Sequence, residues 1–344
     1  MQRGMAGNGE RESMRIVVAG GGLIGARHIA HVLDHPSFDL VGVIDPDPKV
    51  RAAAPGASFD CIEAVDVPVD GIIIATPTDL HAANAETSAE RGWHMVIEKP
   101  VASTLKQAHS IVGAVERAGV VALVGHHRRY HPKVRALKEL LDTGQIGATV
   151  LASMIWAVRK PNEYFDVPWR AGRAGSPIMI NLVHELDLLR YLFGDLIHVS
   201  GFGSGALRGQ GRIESGGVTL GFANGTVATL AFADTSPSPW GFEAGTGENP
   251  NIGTTNQDML WITGTKGAIS FPSLTLWGKA KDWSQAAQPS KISCAEGVPL
   301  VAQLEHFADV VSGRAAPLID AWDATKTLAA TLQIEAALMG EPTQ

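Results

Sequence analysis

The sequence predicts an α/β protein in two parts, a doubly wound parallel sheet followed by a domain built on an open-faced, largely antiparallel sheet. Three observations carry this reading. Near-continuous apolar runs alternate with helix-like segments from Arg15 to about Val124. A glycine-rich turn separates the first strand from the first helix. After about Gly125 strand candidates follow one another at hairpin spacing. Strands alternating with helices imply parallel pairing through right-handed crossovers. Closely spaced strands joined by turn residues imply antiparallel pairing. A chain of 344 residues exceeds one ordinary hydrophobic core, which also favours two domains.

Residues 1–13 (MQRGMAGNGERES) read as a disordered extension, with Met14 a plausible natural start because MRIVVAGGG opens a strand at once. The first domain is expected over 14–127, with strands at 16–20, 40–45, 71–76, 94–98 and 120–125. Their unbroken apolar character suits strands buried on both faces. Helices are expected from Ile24 to Leu33, Leu80 to Arg91 and Leu105 to Ala118. The second domain is expected over 128–344. It opens with a helix from Pro132 to Asp142 and a strand at 149–158, followed by a helix from Ile178 to Phe193. Strands are then predicted at 196–202, 216–222, 225–233, 258–264, 267–271 and 274–277, with Asn224-Gly225 and Thr265-Lys266-Gly267 as turns. The stretch from Asp234 to Asp258 lacks periodicity, and so long a loop in a compact domain points to function or disorder. Two closing helices fit Leu300–Ser312 and Asp323–Met339, and the last helices could pack back on the first domain.

Composition narrows the function. The hydrophobic share of 45% against 18% charged indicates a folded globular chain. The net charge of -7 and the lack of any Lys/Arg run exclude nucleic acid and anionic membrane as expected partners. No apolar run reaches the roughly 18 residues of a spanning helix. Cys61 and Cys294 stand isolated, which argues against disulfides and for a reducing cytoplasm. His126, His127 and His131 invite a metal, but no carboxylate or Cys stands at useful spacing, so none is expected.

Gly20-Gly21-Gly22-Leu23-Ile24-Gly25 satisfies G-x-G-x-x-G in the required context, after a strand and at the start of a helix. Gly20 permits the tight turn, Gly22 a close approach of pyrophosphate, and Gly25 close helix packing. The helix N-terminus, at Leu23 and Ile24, offers N–H groups and a favourable dipole to the phosphates. Asp45, ending the second strand, suits the ribose hydroxyls and repels a 2′-phosphate, so NAD is preferred over NADP.

The Gly-rich turn, Asp45, Ala75-Thr76-Pro77-Thr78…His81 and Glu98-Lys99-Pro100 occur in one order. Gly125-His126-His127-Arg128-Arg129-Tyr130-His131-Pro132, Asn181…His184…Asp187 and His306-Phe307…Pro317-Leu318…Asp323 follow. With these motifs the chain resembles the glucose–fructose oxidoreductase / inositol dehydrogenase / rhizopine-catabolism (Gfo/Idh/MocA) family over nearly everything from Arg15 to Gly340. The resemblance implies an N-terminal Rossmann domain and a second domain whose open sheet face serves oligomerisation, giving a homodimer or homotetramer. It implies a small-molecule substrate and two catalytic residues, the Lys of the E-K-P motif and a helical His, which fall on Lys99 and His184. Thr76, Pro77, His81, Glu98, Lys99 and His127 would then face the cofactor.

The residue chemistry agrees with that assignment. Oxidation of a carbinol needs a base for the hydroxyl proton and a charge beside the developing alkoxide. His is the side chain nearest neutral pKa, and Lys99 supplies the charge. On a helical wheel Leu182, Val183, Leu186, Leu189 and Phe193 form an apolar stripe, and Asn181, His184, Asp187 and Tyr191 lie opposite, as a polar cleft wall would. One departure concerns Ile180, where many polyol dehydrogenases of the family carry an Asp one turn before the His. Asp187 could orient His184 instead, and the inositol substrate class is put in doubt. Further substrate-binding candidates are Arg128, Trp156, Trp169, Arg170, Asn181 and Trp240, the Trp rings for stacking and the Arg residues, with Arg159, for a carboxylate. The expectation is an NAD-dependent dehydrogenase acting on a secondary hydroxyl of a sugar, sugar derivative or cyclitol. A dihydrodiol or hydroxy-acid dehydrogenase, a redox-neutral NAD-dependent glycosidase and a non-catalytic NAD sensor remain as alternatives.

Overall fold

The computed structural model describes residues 13–209 and 212–340; the extension predicted over 1–13 lies outside them except for Ser13. The chain divides into two compact units. The first holds the described residues up to Gly125 together with Leu300–Trp322. The second holds His126–Pro299 and the residues from Asp323 onward.

In the first unit, β1 (Met14–Ala19), β2 (Phe38–Ile44), β3 (Ser58–Phe59), β4 (Gly71–Ile74), β5 (His94–Ile97) and β6 (Ala122–Val124) form one parallel sheet. Its order is β3-β2-β1-β4-β5-β6. Between the strands lie α1 (Leu23–Asp34), α2 (Pro48–Ala53), α3 (His81–Glu90) and α4 (Leu105–Ala118). Strand order reverses beside β1, between β2 and β4, which places the β1–α1 turn at the sheet's switch point. Thr104 caps α4 through its hydroxyl on the Gln107 N–H, and Gly119 ends it at φ 66°. The short α2 begins at Asp47, whose carboxylate accepts from the Lys49 N–H.

In the second unit, α5 (Pro132–Asp142) leads into β7 (Thr149–Ala157). After α6 (Pro168–Ala171), the predicted helix from Ile178 begins as a π-turn, Ile178–Leu182, and continues as α7 (Val183–Phe193). The strands β8 (Leu196–Ser204), β9 (Ser215–Phe222) and β10 (Val227–Ala233) follow, then α8 (Phe242–Thr246). The remaining strands are β11 (Leu260–Gly264), β12 (Ala268–Phe271), β13 (Thr275–Gly278) and β14 (Gln288–Lys291). The sheet runs β14-β13-β12-β11-β7-β10-β9-β8, with β7 and β10 parallel and every other neighbour antiparallel. Alternate residues build the core: Ala152, Met154 and Trp156 of β7 and Ala228, Leu230 and Phe232 of β10 are buried with Leu186 and Leu189 of α7. The other face stays open, with Leu151, Phe202, Val227, Trp261 and Trp277 exposed.

Of the two closing helices, α9 (Pro299–Val311) places Leu304 and Phe307 in the first unit's core with Ile16, Val18 and Leu123. From α10 (Ala321–Met339), Ala330, Ile334 and Leu338 join the second unit's core. Besides the short elements α2, β3, α6 and β14, which the sequence pattern does not announce, two features depart from the sequence reading. The stretch from Asp234 to Asp258 is not all loop, because it contains α8. The wheel drawn through Asn181 and His184 is broken by the π-turn, which shifts the phase of everything after it.

Two glycines give a contrasting stability prediction. A Cβ on Gly25 would lie 1.9 Å from the Gly20 carbonyl oxygen, whereas one on Gly22 meets nothing within 4 Å. Gly25→Ala is therefore expected to destabilise the first unit by about 1–3 kcal/mol, read as a lower urea midpoint, while Gly22→Ala unfolds like the parent.

Candidate active site

The glycine turn of the first unit is shaped by close packing. Gly20 stands at φ 93°, and a Cβ there would meet the Ala75 carbonyl oxygen at 2.5 Å. Gly22 precedes α1 without any side-chain cap, so the first N–H groups of the helix, at Leu23 and Ile24, are left for an anion. Leu23 itself is exposed. Asp45 lies beside the turn, with Oδ2 accepting from the Gly21 N–H at 2.8 Å and Oδ1 from the Asp47 N–H at 2.9 Å. An uncapped helix end, open space before Gly22 and a carboxylate held at the end of β2 fit a dinucleotide.

Beneath this turn the unit is braced by polar groups that the sequence reading assigned to the cofactor. Glu98 is buried, with Oε1 2.8 Å from His28 Nε2 on α1 and Oε2 accepting from the Lys99 N–H at 3.1 Å. A Cβ on Gly125 would sit 3.0 Å from its carboxyl, so that glycine makes room for it. Glu98 thus braces the unit from inside. His81 lies inside the unit as well. It is buried with Nδ1 3.0 Å from the Pro100 carbonyl and Nε2 3.0 Å from the Thr76 carbonyl. Burial pushes its pKa down against those carbonyls, so the neutral ring donates to one of them. It ties the Thr76-Pro77 loop to the Lys99-Pro100 turn. Thr76 Oγ1 accepts from Asn84 at 3.0 Å, and Lys99, joined to Pro100 by a cis peptide, stands half-buried at the end of β5.

In the second unit His184 is mostly buried at the start of α7, just past the π-turn. The His127 ring meets it edge-on at 5.5 Å and the His126 ring at 6.4 Å. His127 Nε2 is hydrogen-bonded to Glu248 Oε1. The neighbouring Arg128 is buried, its guanidinium 2.6 Å from Glu185, 2.6 Å from Glu243 and 3.5 Å from Glu248, and stacked over Phe242 at 4.1 Å. It is thus committed to protein carboxylates and is not the substrate clamp expected of it. Asp187, expected as a possible orienter of His184, is instead held bidentately by Arg129 at 2.9 and 2.7 Å and by Thr327 at 3.0 Å. The face read as an open polar wall is therefore an interior one, with Asn181 and Tyr191 only partly buried at its ends.

Trp156 also departs from expectation. It is buried, with Nε1 3.3 Å from Glu243 Oε2, and its ring is core rather than a stacking platform. Trp169 and Trp240 are exposed, and Arg170 lies over the rings of Tyr164 and Trp169 at 4.5 and 5.5 Å. Glu243 and Glu248 went unassigned because the stretch around them carries no periodicity. Among the described residues no group of three or more His, Cys, Asp or Glu side chains is arranged to hold a metal ion.

A parallel doubly wound unit with an anion-ready glycine turn, joined to a mixed-sheet unit bearing a clustered histidine, defines a nucleotide-binding protein of the oxidoreductase type. The comparisons make this specific. The GFO/IDH/MocA description "Oxidoreductase family, NAD-binding Rossmann fold" matches residues 14–126 and "GFO/IDH/MocA C-terminal domain" matches residues 134–270. The chain belongs to the Gfo/Idh/MocA oxidoreductase family, and its first unit is the family's NAD-binding Rossmann domain. It is 27% identical to scyllo-inositol 2-dehydrogenase (NAD(+)) of Bacillus subtilis over 92% of this chain and 91% of that protein. It is 30% identical to UDP-N-acetylglucosamine 3-dehydrogenase of Acidithiobacillus ferrooxidans over 61% of this chain and 65% of that protein. Several of these curated relatives are matched over only 61–65% of their own length. An oxidoreductase from Agrobacterium radiobacter, solved with NAD+, L-tartaric acid and magnesium, superposes with a TM-score of 0.79 at 18% identity, covering 95% of this chain and 96% of that one.

The ion pairs of the second unit predict a pH window. Burial by itself would raise Asp187, but Arg129, His126 and Thr327 hold it down at about 2, below its ordinary 3.8. Burial likewise works against Glu248, yet His127, Arg128 and His131 hold it at about 2, below 4.5. Their stabilisation is complete above the ordinary carboxylate values and is lost as pH falls toward 2. Glu185 has the opposite sign. Burial and the charge of Glu243 lift it from 4.5 to about 7 against the pull of Arg128, so its contribution is lost as pH rises from 4.5 to about 7 and is level above that. The urea midpoint should peak at about pH 4.5 and decline from there to about pH 7. Asp187→Asn should flatten the acid limb, removing on the order of 2 kcal/mol of pH-dependent stability.

Proposed function

We propose that the protein is an NAD-dependent dehydrogenase oxidising a secondary hydroxyl of a sugar, sugar derivative or cyclitol. The observation that carries the reading is the pairing, in one unit, of the uncapped α1 turn beside Asp45 with Lys99 at the end of β5. Both sit where open parallel sheets present their functional groups, at the carboxyl ends of the strands. NAD, when bound, supplies the hydride acceptor. Lys99 holds the hydroxyl oxygen and offsets its developing negative charge. His184 takes the proton, with His127 and Glu248 fixing the surroundings of its ring. Two relatives named as dehydrogenases of a cyclitol and of a nucleotide sugar support the substrate range.

The test is NADH absorbance on mixing the protein and NAD with sugars, sugar acids, cyclitols and dihydrodiols. One substrate class should turn over, and Lys99→Ala and His184→Ala should each lower the rate by about 10²–10⁴-fold with NAD affinity retained. NAD binding without NADH formation on the whole panel would sink the reading. Asp45→Ala should raise the use of NADP relative to NAD, because the carboxylate that opposes a 2′-phosphate is gone.

The open sheet face supports a homo-oligomer as part of the same proposal. Trp261 lies opposite Ser153 on β7 and Ser270 on β12, among small residues that let a second sheet approach closely. Light scattering should give a dimer or larger for the parent and a smaller particle for the double variant Leu151→Lys, Trp261→Lys. A monomeric parent would refute it.

A further inference from the structure

A second cluster of the second unit is not used by this chemistry. Lys160, just past β7, is buried with its Nζ 3.9 Å from Asp234 Oδ2 and 4.8 Å from the centre of the Tyr164 ring. Arg208 donates to Asp234 Oδ1 at 2.8 Å, and Arg212 is paired with Asp234 Oδ2. The two guanidinium groups lie 4.3 and 4.7 Å over Phe165. Three cations thus share one buried carboxylate. The other acids at hand are occupied: Glu243 by Arg128 and Trp156, and Glu214 by the N–H groups of Leu207 and Arg208.

Two of the three cations, Arg208 and Arg212, reach an opening, and Lys160 lies behind them on Asp234. An open cleft of about 300 Å³ is lined by Asn162, Phe165, Ala171, Arg208 and Arg212. Arg212 is 2% exposed, yet its Nη1 has no hydrogen-bond partner among the described residues, and the same holds for the Lys160 Nζ at 8% exposure. Buried cationic N–H groups without a hydrogen bond are costly, and an anion is what relieves them. Burial also pushes the Lys160 ammonium down to about 8, with Arg212 and Arg208 adding to the fall against Asp234. The cleft is tied to the His184 segment through Arg212 Nε, which donates to the Gly175 carbonyl at 3.2 Å, three residues before the π-turn.

We propose that Lys160, Arg208 and Arg212 form an oxyanion subsite that receives a carboxylate or phosphate group of the substrate, so that the substrate is an acidic sugar rather than a neutral polyol. The ligand's identity as a substrate rests on the dehydrogenase reading; the subsite itself rests on the cluster. Phe165 and Tyr164 lie against the cations, Phe165 also forming part of the cleft wall, and the forked Arg212 suits a planar or tetrahedral oxyanion.

Calorimetric titration of the full chain with a hexuronate, a hexose phosphate and the matching neutral hexose tests this without any turnover. One acid should bind at least about tenfold more tightly than the neutral sugar, with the advantage shrinking as salt is raised. Which acid wins distinguishes carboxylate from phosphate. The advantage should collapse in Lys160→Met, which leaves both Arg–Asp234 pairs in place, and in Arg208→Gln, each checked for folding by its thermal transition. Equal binding of acid and neutral sugars, no saturable binding of either acid, or an advantage that survives in folded Lys160→Met overturns the subsite. Acid-selective binding with no NADH formation would leave the subsite standing and remove the dehydrogenase reading.

Discussion

The second unit depends on a buried guanidinium. Arg128 is enclosed by Glu185 of α7, Glu243 of α8 and Glu248 just beyond it, with Phe242 across its face. Taking one cation and three carboxylates out of water is favourable only when every charge is answered. His127 answers Glu248, and burial moves Glu185 toward its protonated form. The result ties three separated segments together: the 127–130 turn, the first turn of α7 and a short helix in an otherwise irregular stretch. His184 is the residue before Glu185, so its position follows from the same network.

The first unit rests on a steric constraint. Gly20 and Gly25 approach so closely that no side chain fits between them, and this turns the chain sharply from β1 into α1. Beneath that contact, Glu98–His28 joins β5 to α1, and His81 joins the loop after β4 to the turn after β5. These are internal polar groups that pair with one another, as burial favours. The outcome is a stiff platform on which Asp45, the α1 N-terminus and Lys99 are presented.

Residues that look functional in a motif divide here into those that would touch a ligand and those that hold the others. Glu98, His81, Arg128 and Asp187 have partners inside the protein. A polar residue on an exposed strand end and one folded beneath it carry the same letter in the sequence. They differ in where the carboxylate or ring finds its partner, and those partners lie 70 residues away for Glu98 and His28 and 58 for Arg129 and Asp187. The cluster around Lys160 was invisible for the same reason, since Lys160, Arg208, Arg212 and Asp234 are brought together only by the parallel pairing of β7 and β10 and the turn beyond β8.

Five of the six strands of the first unit were legible to within a few residues because strands buried on both faces must be unbroken apolar runs, and glycine and proline mark their ends; the two-residue edge strand β3 was not. The nucleotide turn was legible because its constraint is local and steric. Outside local patterns the sequence is silent. Strand β14, QPSK, carries no apolar signal and exists through its ladder to β13, while the π-turn before His184 has no letter pattern of its own. Local periodicity and backbone sterics are written residue by residue, so the sequence alone determined the fold class, the family and the nucleotide turn. Charge pairing is decided by distance in space, so only the tertiary structure determined which charged side chains pair with one another inside the protein.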